Sequence, residues 1–340
     1  MLARWALAFA LPLGGCAAPG RTDSTTAPVT PEAPAKTYDG TWSRIADEPR
    51  VGRYVSSSWG FSTVSYWIEG DDGVVLVDTQ FLPSAAEEFL EIAERETGKP
   101  VVTAIVLHAN PDKFNGTATL QARGIEVLTS AQVLALIPEV HEKRVAAFGE
   151  RYAPDYPTAL PQPDGFGDAD VTLERAGLRL GLHVLGPGCS GAHVALSWEG
   201  HLFAGDLVAN GTHSWLELGL SGEWLQRVEE LAALGPTHVH PGRGDSAGPE
   251  LLVAQREYLQ RVRTLVAAEH AEVTAGGATP SKDEVDAALT RLRAALEREY
   301  PEHRFAVFLR IGLPAEWRRV AGEGQRSTTR CSKNASGQPC

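Results

Sequence analysis

One short segment, IVLHANPDKFNG, places four polar side chains directly after an apolar run that is typical of a buried strand. They are His108, Asn110, Asp112 and Lys113. Imidazole and carboxylate groups have lone pairs that bind divalent metal ions, whereas an ammonium group has none to give. The segment therefore combines metal-binding residues with a cation that opposes metal binding.

Three further segments carry residues of the same kind. Cys189 lies in GPGCSGAHVAL, Asp206 in FAGDLV and Arg243 in PGRG. A thiolate binds zinc well, a carboxylate binds metal ions or accepts a proton, and a guanidinium pairs with anions. Asp78 closes a fourth segment, VVLVDT, which is typical of a buried strand. A common site requires a fold that brings these separate segments together.

The predicted elements follow the order sheet, helix, sheet, helix. Strand-like segments come first, and PSAAEEFLEIAERETG then has Pro83 at a helix start, apolar residues at helical spacing and Gly98 at its end. A second series of strands begins near Asp170, and GEWLQRVEELAALG follows it as a helix. From Gly248 to Val320 the pattern is mainly helical.

The motif segments, in their order and spacing, resemble those of the metallo-β-lactamase fold superfamily, which includes glyoxalase II-like and lactamase-like hydrolases. HANPDK takes the place of HxHxDH, GPGCSGAHVAL that of GPGHTxxxVxx, FAGDLV that of the GD motif and PGRG that of the PGHG turn. The resemblance covers roughly residues 50 to 245. It implies an α/β fold, a four-layer αβ/βα sandwich with its site at one edge of two sheets, here with a helical C-terminal extension.

For the first metal of that family, the resemblance assigns His108, Asn110 and Cys189, where the family has three histidines. Imidazole and thiolate are good zinc ligands, and an amide oxygen is a poor one. Metal binding there would need help from Asp112, a water, or nearby His193 or His240. Neither histidine occupies a ligand position of the family, so we favour the interpretation of both as ordinary strand residues. The first site is therefore expected to bind zinc only marginally.

For the second metal, the resemblance assigns Asp112, Lys113 and Arg243, where the family has Asp, His and His. Asp206 occupies the place of the residue that touches or bridges the two metals. Lys113 and Arg243 cannot ligate a metal ion, but they can replace its charge beside the two carboxylates. The sequence therefore predicts a second site that is closed to metal and filled by side-chain cations.

Several functions fit this altered site. The first is hydrolase-like chemistry, diverged or lost, with at most one zinc ion and with Asp112, Lys113, Asp206 and Arg243 as the catalytic residues. A conventional zinc-dependent hydrolase of a small ester, thioester or amide is an alternative, as is a metal-free binding protein. A metal-free enzyme with Cys189 as its nucleophile is a further alternative. The expected cofactor is one zinc ion or none.

The N-terminus, MLARWALAFALPLGGC, has basic Arg4, a short apolar run and small residues before Cys16, as export signals do. The tetrad LGGC resembles the lipobox of bacterial lipoproteins, which implies a lipid on Cys16. Ala17 provides no retention signal of the Asp kind for the inner membrane. We therefore expect an exported, periplasmic lipoprotein anchored in the outer membrane.

The predicted organisation is a signal peptide at 1–15, a Pro/Thr-rich tether at 16–40 and a metallo-β-lactamase-like domain at 41–247. A helical C-terminal extension at 248–322 packs on that domain, and a flexible tail follows at 323–340. Cys331 and Cys340 in the tail either pair in an oxidising compartment or remain free thiols. No apolar run outside the signal is long enough to cross a membrane.

The composition limits the partners. The chain has 340 residues, 43% of them hydrophobic, and a formal net charge of −12 with scattered Lys and Arg. An acidic protein without a basic patch has no electrostatic basis for binding nucleic acid or anionic lipid. We expect a small-molecule substrate or ligand, and membrane contact only through the lipid on Cys16.

The lipid anchor predicts that the full-length protein, expressed in a Gram-negative host, enters the detergent phase when it is extracted and phase-separated. Cys16→Ser should remain in the aqueous phase, because it lacks the thiol that carries the lipid. Immunoblots of the two phases measure the difference. Equal aqueous partitioning of both forms would show that Cys16 is not lipidated.

Overall fold

The computed structural model describes residues 39–277 and 279–322. The signal peptide, the lipid on Cys16, nearly all of the tether and the tail with Cys331 and Cys340 lie outside the described residues. Within the described residues, no helix is long and apolar enough to cross a membrane.

The first sheet has seven strands in the sequential order β1 to β7. The first four pair antiparallel, and β4 to β7 pair in parallel. Their bounds are β1 Thr41–Ile45, β2 Glu48–Val55, β3 Val64–Glu69, β4 Val74–Val77, β5 Val101–Ile105, β6 Glu126–Thr129 and β7 Asp164–Gly165. The central strands β4 and β5 therefore end at the same edge, where their loops supply site residues.

The second sheet has five strands in the order β12-β11-β10-β9-β8. Only β11 and β12 pair in parallel, because α5 connects them as a crossover. The bounds are β8 Val171–Arg175, β9 Leu178–Leu185, β10 His193–Trp198, β11 His201–Ala209 and β12 His238–Arg243. Alternate residues of β11 face opposite sides: Phe203 belongs to the core between the sheets, whereas Leu202 and Ala204 pack under the helices.

Helices cover the outer face of each sheet. Their bounds are α1 Pro83–Thr97, α2 Pro111–Phe114, α3 Thr117–Ala122, α4 Ala131–Phe148, α5 Ser221–Ala233, α6 Glu250–Val273, α7 Lys282–Glu299 and α8 Val307–Val320. Apolar residues of α1 and α3 share one core with both sheets. Those of α5 to α8 form a second core against the second, five-stranded sheet. This is the α/β sandwich predicted from the sequence, and its C-terminal helices are present as expected.

The limits of α1 follow the predicted signals. Pro83 occupies the first turn, where its missing N–H removes no hydrogen bond. Gly98 ends the helix in the left-handed conformation with φ 68°, which costs little without a Cβ. Phe89, Leu90 and Ile92 are buried, so the face of α1 that carries them packs against the core.

A buried carboxylate fastens the last helix to the rest of the molecule. Glu316 of α8 accepts hydrogen bonds from the Ser221 backbone N–H at 3.1 Å and from its hydroxyl at 2.6 Å. Ser221 is the first residue of α5, and the residue before it provides no side-chain cap. Glu316 therefore satisfies a helix N-terminus from a distant part of the chain.

Glu316→Ala should lower the free energy of unfolding by about 1–3 kcal/mol, because a buried N–H and a buried hydroxyl lose their acceptor. Chemical denaturation measures this loss. Glu299→Ala is the matched control: Glu299 pairs with Arg261 at 2.8 Å on the surface, and its removal should cost about 1 kcal/mol or less. Equal losses in the two variants would contradict the anchoring role of Glu316.

Candidate active site

The loop after β5 is joined directly to the first residue of β10. The Val194 backbone N–H donates to the Leu107 carbonyl at 2.6 Å, and His108 forms an isolated β-bridge with His193. This contact connects the edges of the two sheets. It places the two imidazoles side by side, with ring centroids 5.0 Å apart.

The short helix α2 directs Lys113 into the molecule. The Lys113 carbonyl accepts hydrogen bonds from the Thr79 N–H at 2.8 Å and from its hydroxyl at 2.9 Å. The Lys113 side chain has no exposed surface, and its Nζ lies 3.0 Å from Asp206 Oδ1, 3.5 Å from Asp112 Oδ2 and 3.6 Å from Asp78 Oδ2. One ammonium group thus faces three carboxylates, an arrangement we call the Lys113 ion cluster.

Asp78 is a site residue to which the sequence analysis gave no role beyond closing a strand. It follows β4 with a φ of 66°, a conformation that few residues other than glycine adopt. Its Oδ1 accepts a hydrogen bond from the Leu107 N–H at 2.9 Å while Oδ2 faces Lys113. Burial raises the pKa of Asp78 to about 7, and the Lys113 ammonium opposes that rise. Asp78 therefore links the end of β4 to the loop after β5.

Arg243 completes the charged floor of the site from the end of β12. Its Nη2 donates to Asp112 Oδ2 at 2.9 Å, its Nη1 donates to the Phe61 carbonyl at 2.9 Å, and its Nε lies 4.0 Å from Asp206 Oδ2. The preceding Gly242 is required here, since a Cβ at that position would lie 2.1 Å from Asp206 Oδ1. The pairing of Lys113 and Arg243 with Asp112 and Asp206, predicted from the sequence, is present in the structure.

The charges in this floor stabilise one another. Burial alone would raise the pKa of Asp206, but Lys113 and Arg243 hold it well below its ordinary value. Burial would lower the pKa of the Lys113 ammonium, but Asp206, Asp112 and Asp78 raise it above its usual range. Asp206 and Lys113 are therefore charged at neutral pH without any metal ion.

A second group of residues, His108, Cys189 and His193, lies beside the ion cluster. One potential ligand atom from each lies within 4.8 Å of those of the other two, and all three residues are buried. The sequence analysis favoured an ordinary strand role for His193. It does begin β10, but the bridge to His108 brings its ring into the site.

The chemistry of this group fits one zinc ion. Neither ring nitrogen of His108 has a hydrogen-bond partner within the described part of the chain, and Nδ1 of His193 has none either. His193 Nε2 accepts the Ser190 N–H at 3.1 Å and lies 3.8 Å from Cys189 Sγ. Burial lowers the pKa of His108 to about 3, so its ring is neutral and able to donate a lone pair. Two imidazoles and one thiolate are common zinc ligands.

The position of the second metal does not fit an ion. Lys113 Nζ lies among the carboxylates that would have to bind the ion, and neither the ammonium nor the Arg243 guanidinium has a lone pair. Asn110, the third predicted ligand of the first metal, is the residue before α2 and lines the cavity above the floor. Asn110 thus stands at the entrance of the site.

A cavity of about 230 Å³ opens over this floor. Its walls are mainly apolar and come from loops near both sheets, from α4 and from α8. The lining residues are Phe61, Phe81, Asn110, Pro111, Asp112, Arg144, Phe148, Arg151, Asp206, Trp215, Arg243, Val307, Phe308 and Ile311. Tyr152 and Tyr156 are buried in an apolar cluster with Phe81. The sequence analysis missed Arg144, Arg151 and the α8 residues, which no local motif marks.

Cys189 is not arranged as a nucleophile in the metal-free chain. Its side chain is buried, and burial raises the pKa of its thiol well above the ordinary value. Within the described residues, Cys189 does not line the cavity. The hypothesis of a metal-free cysteine enzyme therefore gains no support from the geometry.

Comparison with known proteins gives a consistent result. The family model described as the metallo-beta-lactamase superfamily matches residues 58–243. The type 2 metallo-beta-lactamase of Bacillus cereus is 36% identical over 59 residues, which are 17% of this chain and 23% of that protein. The matched segment thus spans under a quarter of the relative.

Two solved structures show the extent of the shared fold. The metallo-beta-lactamase of Pontibacter korlensis is 22% identical, with a TM-score of 0.51 over 65% of this chain and 99% of its own. The metallo-beta-lactamase FIM-1 of Pseudomonas aeruginosa, in a mono-zinc form, is 19% identical, with a TM-score of 0.51 over 65% of this chain and 95% of its own. At these identities the likeness is one of fold.

The Lys113 ion cluster predicts that Lys113→Met lowers the free energy of unfolding by about 3–5 kcal/mol, because it leaves buried carboxylates without their cation. Adding Asp206→Asn should recover part of the loss in a double-mutant cycle. Lys143→Met is the matched control, since Lys143 pairs with Glu217 at the surface and should cost about 1 kcal/mol or less. A loss in Lys113→Met no larger than in the control would contradict the cluster's role.

Proposed function

The chain belongs to the metallo-beta-lactamase superfamily, and on that premise we propose that it is an exported, hydrolase-like lipoprotein whose site holds at most one zinc ion. In this proposal Lys113 and Arg243 replace the second metal, and two-metal hydrolysis has diverged or been lost. The observation that carries it is the position of Lys113 Nζ, 3.0 to 3.6 Å from three carboxylates.

The charge balance supports the replacement. A dication between Asp112 and Asp206 would neutralise two carboxylates, and Lys113 together with Arg243 supplies the same two positive charges. Both cations are buried and already paired, so a metal ion entering this position would have to displace a fully buried lysine. Independent loss of two histidines would more often leave neutral residues there.

His108, Cys189 and His193 are the residues that would hold the single zinc ion. When bound, zinc supplies a Lewis acid and lowers the pKa of a coordinated water. The chain's own groups then have distinct tasks. Asp112 lines the cavity floor, where its carboxylate can orient a water, and Arg243 holds Asp112 in place through its 2.9 Å hydrogen bond. Asp206 stays ionised beside Lys113.

Two alternative functions remain for this chain. A conventional zinc-dependent hydrolase of a small ester, thioester or amide follows from the family, but it requires a second metal position free of lysine. A metal-free binding protein is favoured by the complete internal pairing of the floor charges, which needs no ion for its stability. The zinc content of the protein distinguishes them. Export and the lipid on Cys16 are supported by the sequence of the N-terminus.

The one-metal proposal predicts at most one zinc ion per chain in protein purified without chelator and incubated with zinc, as measured by mass spectrometry of the metal. It also predicts no turnover of a chromogenic cephalosporin, because the second position cannot polarise or activate a reactant through a metal. His193→Ala should lower the zinc content, whereas His238→Ala, on β12, should not. Two zinc ions per wild-type chain, or chelator-sensitive cephalosporin turnover, would refute the proposal.

Histidines introduced at the position of the second metal provide a positive control. Lys113→His combined with Arg243→His would present two imidazoles beside Asp112 and Asp206, a ligand set suited to zinc. This double variant should bind one zinc ion more than the wild type. Unchanged zinc content in a folded double variant would show that the two cations are not what excludes the metal.

A further inference from the structure

The cavity over the active-site floor has walls that select for an apolar molecule. Phe81 and Phe148 lie on one side, and Val307, Phe308 and Ile311 of α8 lie on the other. Val307 and Ile311 are 51% and 37% exposed, so the cavity leaves apolar side-chain surface open to solvent. A ligand that covers this surface gains free energy in proportion to the apolar area removed from water.

Among the described residues, each charged side chain that lines the cavity has an oppositely charged partner, except one. Asp112 and Asp206 are paired with Arg243 and Lys113. Arg144 is paired with Glu217, which also binds Lys143. These pairs leave the polar floor without a free charge for a ligand.

Arg151 is the exception. Within residues 39–277 and 279–322, no carboxylate lies within ion-pairing distance of it, and its guanidinium rests over the rings of Trp59 and Tyr152 at 5.6 and 5.3 Å from their centroids. The aromatic contacts place the guanidinium at the cavity wall, and they use none of its N–H donors in a hydrogen bond to a carboxylate. A carboxylate is the group that such donors bind best.

We infer that the cavity binds a monoanionic carboxylate with a flexible apolar body, such as a medium-chain fatty acid or acyl acid. The carboxylate pairs with Arg151, and the apolar body lies between Phe81, Phe148, Phe308 and Ile311. The C-terminal helix α8 is thus part of the binding site. This inference deepens the proposed function, since it names the ligand class of the same cavity, but binding by Arg151 requires no metal.

The volume of the cavity sets the length of the ligand's apolar chain. At roughly 30 Å³ for a group the size of a water molecule, 230 Å³ holds about seven or eight such groups. Affinity should therefore rise about fourfold for each added methylene and level off near octanoate. Decanoate should bind no more than a few times better than octanoate.

Isothermal titration of chelator-treated protein with hexanoate, octanoate and decanoate, and with octan-1-ol as the neutral analogue, tests the inference. Octanoate should bind up to about fivefold more tightly than octan-1-ol, because an ion pair with an exposed guanidinium is worth at most about that factor. Arg151→Gln should lose this difference while its octan-1-ol affinity stays within about twofold. Arg151→Lys should keep part of the preference.

Variants of the apolar wall test the role of α8. Ile311→Ser should weaken the binding of octanoate and of octan-1-ol to a similar degree, by several-fold, because it removes apolar surface and leaves Arg151 intact. Val253→Ser is the matched control: Val253 is a 44% exposed residue of α6 that does not line the cavity, and its substitution should leave both affinities unchanged.

Three results would overturn the inference. These are equal affinities of the wild type for octanoate and octan-1-ol, unchanged octanoate affinity in Arg151→Gln, and octanoate binding that appears only after zinc is added. The last would place the carboxylate on the metal. Zinc content, measured separately, decides the proposed function, so failure of one proposal does not count as failure of the other.

Discussion

The ion cluster around Lys113 is the interaction on which the geometry of the site depends. Its carboxylates come from the end of β4, from α2 and from β11, so a single ammonium group connects both sheets. A fully buried cation among carboxylates is stable only if every partner stays in place, because the loss of one leaves an uncompensated buried charge. The cluster therefore fixes the site loops without help from a bound ion.

Arg243 extends this network to the C-terminal helices. Its guanidinium bonds Asp112 and the Phe61 carbonyl, and it lies over the rings of Phe305 and Phe308 at 5.3 and 5.4 Å from their centroids. The ionic floor and the apolar cover of the cavity thus meet at one side chain. The proposed exclusion of a second metal and the proposed selection of a ligand therefore depend on the same side chain.

Local signals predicted the elements that local physics controls. Pro83 and Gly98 delimit α1, and the apolar periods of the strands place β4 and β5 correctly. The helix α4 had no counterpart among the predicted elements, and Pro138 lies within it. The position of His193 beside Cys189 could not be predicted, because its spacing matches no ligand of the family and the bridge to His108 is a tertiary contact.

The sequence by itself determined the family and the α/β fold, and it predicted a cationic replacement at Lys113 and Arg243, because motif order and side-chain chemistry are properties of the chain alone. The tertiary structure decided the rest. Asp78 joins the cluster, His193 joins His108, and α8 faces Arg151 across a common cavity only because elements far apart in sequence pack together. Such contacts depend on how the sheets and helices pack against each other, which no local periodicity encodes.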